Sequence, residues 1–130
     1  MGNIDWLSAC LATVTAFVIG GAWYGPLFGR SWMAVWGFSE GDLRRRSVGK
    51  TFGLSLGLVF IAALNLELFI GAEATVAFGT MAGFVAGLGW VSTFLGILYL
   101  FEMRPLKGYL INAGYCTVAL TSMGAVLGAM

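Results

Sequence analysis

Apolar residues run along this chain in long unbroken stretches rather than in alternation, and polar residues collect in the short gaps between them. Hydrocarbon about 30 Å thick is crossed by about 20 helical residues. That length predicts four spanning helices, near 6–28, 51–70, 75–101 and 107–130. Alternating segments of about ten residues, which a membrane β-barrel needs, do not occur. The predicted fold class is therefore all-α and integral to the membrane. Residues 1–130 form one transmembrane domain, a four-transmembrane-helix bundle with a short interfacial helix between helices one and two.

Composition supports this. Hydrophobic residues make up 59% and charged residues 10% of the chain, and the mean hydropathy is +0.90. A soluble domain usually carries about a quarter charged residues. The charge that remains is unevenly placed. All seven cations (Arg30, Arg44, Arg45, Arg46, Lys50, Arg104 and Lys107) fall between helices one and two or between helices three and four. By the positive-inside rule those loops are cytoplasmic and both termini face outward, as in a multi-pass protein of a bacterial inner membrane. The leader "MGNIDW" has no Lys or Arg and carries Asp5, unlike the basic start of a signal peptide. The first helix is expected to be retained.

The stretch "GGAWYGPLFGRSWM", residues 20–33, closes the first span. Trp23 and Tyr24 fall at the level of the cytoplasmic headgroups, which amphipathic rings favour. Gly25 and Pro26 follow, and Pro26 removes a backbone donor and crowds the preceding turn, so the helix kinks or ends there. Residues 30–38 are too short to span. With Trp32 and Trp36 four apart, they read as a helix lying in the interface. Ser39 and Asp42 then have capping-box spacing. Arg44, Arg45, Arg46 and Lys50 form a basic patch suited to topology and to anionic lipid at the cytoplasmic face.

Glycine recurs at four-residue spacing: Gly21-Gly25-Gly29, Gly53-Gly57, Gly79-Gly83-Gly87 and Gly124-Gly128. In lipid, helices associate through close backbone contact over such small-residue faces. Each span carries one, so a tight bundle is expected, with a homo-oligomer or another membrane protein as partner. Gly53, Gly57, Phe60, Leu64, Glu67 and Gly71 project as one stripe, which puts Glu67 on the small-residue face toward the interior. Asn65 lies about 200° away. Glu67 has two open readings: a proton- or cation-binding carboxylate, or a side chain reaching the outer headgroups. Asn112, near the cytoplasmic end of helix four, is expected to make a structural hydrogen bond within reach of Glu102 and Arg104.

Signatures of catalysis are missing. The chain has no His, no strand-borne glycine loop, and two isolated cysteines, Cys10 and Cys116, placed near opposite ends of the membrane. No catalytic residue, cofactor site, metal site or nucleic-acid partner is expected. Four short spans leave little enclosed space, so transport is expected to need an oligomer, with Glu67, Asn65 and Thr80 lining the route. The alternative is a non-catalytic accessory or scaffold subunit packing in a larger complex.

"GGAWYGPLFGRSWM", together with "FEMRPLKGYLINAGY" at residues 101–115, resembles the family of small bacterial membrane proteins catalogued as domain of unknown function 1761. The resemblance covers essentially the whole chain and implies four spans. It singles out Trp23, Tyr24, Pro26, Trp32, Glu102 and Asn112 without assigning any of them a reaction.

Overall fold

The computed structural model of the protein describes residues 5–37, 48–71 and 75–129. These segments are helical apart from their ends, the turn at Phe28 and the connection over residues 102–105. Four helices are long and apolar enough to cross a membrane, Trp6–Leu27, Gly49–Ile70, Val76–Phe101 and Leu106–Ala129. Their limits lie within a few residues of the predicted spans. Ser39, Asp42 and the patch residues Arg44, Arg45 and Arg46 lie outside the described residues.

The first span is α1 (Trp6–Ala22) followed by a wider π turn at Trp23–Leu27. Asp5 caps its start, its carboxylate accepting the Leu7 and Ser8 amides at 3.1 and 3.4 Å and the Ser8 hydroxyl at 2.5 Å. These bonds, the Ser8 hydroxyl first, hold the Asp5 carboxyl below its ordinary pKa. At the other end the π turn accommodates Pro26. An α-helix with Pro inside loses a hydrogen bond and clashes with the carbonyl four residues back. Here the ladder widens instead, and the Phe28 amide reaches Trp23 O at 2.8 Å. The short helix α2 (Gly29–Trp36) leaves the corner and closes on Gly37 at φ 71°, a left-handed conformation that glycine takes freely.

Helix α3 (Val48–Ile70) forms the second span. The third is α4 (Val76–Val85), a second π turn (Ala86–Val91) and α5 (Ser92–Phe101), and α6 (Leu106–Ala129) is the fourth. Helix α6 is the hub, packing against α1, α2, α3, α4, the second π turn and α5. Its seam with the third span is close enough that backbone meets backbone. A methyl group at Gly79 or Gly83 would overlap the carbonyls of Gly124 or Leu120, and one at Gly87 would sit 2.7 Å from Thr117 Cα. Gly124 and Gly128 face the Gly79 and Thr75 carbonyls in the same way.

The other glycine faces do not pack so. Beside Gly21, Gly25, Gly53 and Gly57 a methyl group would meet nothing within 4 Å. Helix α1 packs through alanine instead: Ala9, Ala12 and Ala16 are fully buried against Met123 and Leu127 of α6 and Ala63, Leu66 and Ile70 of α3. Helix α3 therefore turns Ala63, Leu66 and Ile70 inward, with Phe60 and Leu64 of the predicted stripe packed against that core, while Gly53 and Gly57 at its other end are exposed. Only its second half closes on α1 and α6. Most of residues 49–58 are exposed, so the first half stands away from the bundle and leaves a wedge of space beside α1.

Candidate functional site

That wedge is a half-open cavity of about 730 Å³, lined from α1 and the first π turn by Phe17, Gly20, Gly21, Tyr24 and Gly25, from α2 by Trp32, from α3 by Phe52, Ser55, Leu58 and Val59, and from α6 by Asn112 and Tyr115. Its volume lies within the range of about 300–1,000 Å³ usual for small-molecule sites.

One wall is a hydrogen-bonded aromatic layer built by the two ends of the chain. Trp23 Nε1 donates to the Ile111 carbonyl at 2.9 Å, and its ring lies over Gly114, where a methyl group would come within 2.9 Å of Cζ2. The Tyr24 hydroxyl donates to Asn112 Oδ1 at 2.6 Å, and Asn112 Nδ2 donates to the Tyr99 hydroxyl. The Tyr115 hydroxyl donates to the Ala16 carbonyl at 3.1 Å. The Tyr24 ring meets Trp32 and Tyr115 edge to face, with centroids 5.7 and 5.4 Å apart. Such offset contacts are the favoured aromatic geometry.

The widened turn explains the arrangement. By resetting the helical rotation after Ala22, it swings Trp23 and Tyr24 toward α6, where the indole N–H and the phenol find acceptors. A buried donor without a partner costs about 1–3 kcal/mol, so both rings point toward α6. Asn112 likewise bonds Tyr24 and Tyr99, not Glu102 and Arg104. Those two pair with each other at 2.5 Å, and the Arg104 guanidinium lies 5.7 Å from the centre of the Tyr99 ring. The two stretches that carried the resemblance, about 80 residues apart, thus meet at one wall.

The intramembrane carboxylate lies elsewhere. Glu67 Oε1 accepts the Asp5 amide at 2.6 Å, tying the end of α3 to the start of α1, and its Oε2 is buried without a partner. Asn65 is exposed and bonds back to the Ile61 carbonyl at 2.9 Å. Neither residue, nor Thr80, lines the cavity. Cys10 is exposed, and Cys116 sits midway along α6 rather than near an end. Lys50 stands at the start of α3. No group of three or more metal-ligating side chains occurs among the described residues.

Sequence reasoning missed Phe17, Phe52, Ser55 and Tyr115 as lining residues. Ser55 carried a signal, as a lone hydroxyl in the apolar run "FGLSLGLVF". Room for a cavity inside one chain was also unexpected, because it depends on the stand-off of α3.

Fold and site together define a class: a four-span helical membrane protein with a polar-aromatic cavity in its own bundle. Residues 7–128 match the family described as "Protein of unknown function (DUF1761)", and the chain belongs to that family. The match takes in both stretches that build the aromatic wall. No curated protein and no solved structure matches the chain.

Proposed function

We propose that the protein is a small carrier that binds a low-molecular-weight organic solute in the cavity between α1, α3 and α6. The cavity carries this reading: about 730 Å³, apolar but for Ser55 on the side of α3 and hydrogen-bonded on the side of α6. Most ligand sites combine an apolar lining with a few placed polar groups. The site lies in one chain, so binding needs no second subunit, and Glu67 acts at the far end as a tether of α1.

The test is uptake of a mixed panel of small organic solutes into proteoliposomes, read by mass spectrometry, for wild type and Gly21→Phe. Gly21 lines the cavity and an added methyl group there meets nothing within 4 Å. At least one solute is expected to accumulate faster than in protein-free vesicles, and the Phe variant is expected to lose that excess. A panel that enters both kinds of vesicle equally overturns the carrier reading.

A second reading, an accessory subunit or homo-oligomer, draws on Gly53 and Gly57. Their open face on α3 has the small-residue spacing that the seam between α4 and α6 uses for close approach. Native mass spectrometry of the particle in nanodiscs separates the two, since a discrete dimer or a co-purifying protein favours the second. In either case the cation-bearing ends face the cytoplasm, both termini lie outside, and the basic patch meets anionic lipid.

A further inference from the structure

The cavity wall is unusual in which hydrogen-bonding partners it has left to offer. A hydroxyl has one proton and two acceptor lone pairs. All three hydroxyls of the lining have that proton committed inside the chain: Tyr24 to Asn112 Oδ1 at 2.6 Å, Tyr115 to the Ala16 carbonyl at 3.1 Å, and Ser55 to the Thr51 carbonyl at 2.6 Å. What hydrogen-bonding capacity they have left is acceptor oxygen. Asn112 has one amide hydrogen engaged by Tyr99 and one remaining. Around these oxygens stand the rings of Phe17, Trp32 and Phe52 together with those of Tyr24 and Tyr115. Among the described residues no Asp, Glu, Lys or Arg is in the lining.

Lone pairs and ring faces are both electron-rich. Each attracts a positively charged N–H donor, since ring quadrupoles bind ammonium groups over their faces and hydrogen bonds with an ionised donor are stronger than neutral ones. A carboxylate or phosphate meets no cation among the described lining residues, and only the Asn112 amide and the Trp32 indole as side-chain N–H donors. We infer that the solute is an organic ammonium ion, an amine protonated at neutral pH and carried on an apolar or aromatic body. The inference rests on the cavity being the solute site. With no carboxylate among the described residues of the wall, selectivity is set by the oxygens and rings instead of an ion pair.

Three probes that share one skeleton separate the terms: 2-phenylethylammonium, 2-phenylethanol and 3-phenylpropionate. They are titrated by calorimetry into the full chain in phosphatidylcholine nanodiscs, with empty nanodiscs as the baseline. The ammonium is expected to bind at least about tenfold more tightly than the alcohol, the carboxylate not to bind, and Gly21→Phe to abolish both signals. Ser55→Ala and Tyr115→Phe remove acceptor oxygens with little change in volume, and each is expected to reduce the ammonium preference by about threefold or more while the alcohol still binds. Alcohol binding as tight as that of the ammonium, and lost in Gly21→Phe, overturns the inference and leaves the carrier reading standing. So does an ammonium preference that neither oxygen-removing variant changes. If no probe binds, or if Gly21→Phe changes nothing, the cavity is not the solute site and both readings fall.

Discussion

At the residue scale, glycine shows how one residue type at one spacing has two physical roles. Gly83 is buried where a methyl group would overlap the Leu120 carbonyl, while Gly57 is exposed with nothing within 4 Å. Gly83→Ala is therefore expected to destabilise the bundle by about 3 kcal/mol, since overpacking against backbone cannot relax by side-chain rotation. Gly57→Ala is expected to be neutral or to add about 0.5–1 kcal/mol, the usual gain of replacing an unconstrained helical glycine. Unfolding in mixed detergent, followed by circular dichroism, compares the two, and equal effects count against the seam. The four-residue spacing was legible in the sequence. Which repeats meet another backbone was not, because that depends on helix rotation, which the small alanines of α1 set through Ala9, Ala12 and Ala16. Asp5 gives a second residue-scale expectation. Its folded pKa is depressed, so its stabilisation is complete above the ordinary value of 3.8 and is lost as the pH falls through the lowered one. Hydrogen exchange of the first amides of α1 is expected to quicken over that acid range in wild type, and Asp5→Asn is expected to remove the pH dependence.

At the element scale, the corner after α1 decides how the site is built. The Trp-Tyr-Gly-Pro run was legible as a break in a spanning helix, because Pro26 cannot continue an ordinary α-helical ladder. Its direction was not legible. The rings turn inward through bonds from Trp23 to Ile111 and from Tyr24 to Asn112, each spanning 88 residues, and no local pattern encodes a pairing so distant. If the Tyr24–Asn112 bond holds the corner to α6, a double-mutant cycle of Tyr24→Phe and Asn112→Ala should return a coupling of about 1 kcal/mol, the net worth of one such bond. Additive losses would mean that the π turn is held by the Trp23 indole and the ring contacts alone. Trp23→Phe is the companion change. It keeps much of the packing over Gly114, removes the donor to Ile111, and is expected to cost about 1 kcal/mol by itself.

At the scale of the whole molecule, the four spans were legible from run length alone. The room inside the bundle was not, because it arises where the first half of α3 stands off while Ala63, Leu66 and Ile70 close the second half. This division places the intramembrane carboxylate and the cavity at opposite ends of the first span. Glu67 takes the Asp5 amide at the start of α1, and Tyr24 enters the cavity wall after its last turn. Seventeen helical residues separate those ends, about 25 Å at about 1.5 Å per residue. Changes so far apart, with no shared partner, act independently. Glu67→Leu is therefore expected to leave solute affinity within about twofold of wild type and to lower stability by about 1 kcal/mol through the lost acceptor of the Asp5 amide. Asn112→Ala is expected to weaken solute binding directly, because it removes a lining side chain and frees the Tyr24 ring. Calorimetry on the two variants in the same nanodiscs gives the comparison. A Glu67→Leu protein that no longer binds solute, beside an Asn112→Ala protein that still does, would move the site to the carboxylate end and to the pore that the sequence alone suggested.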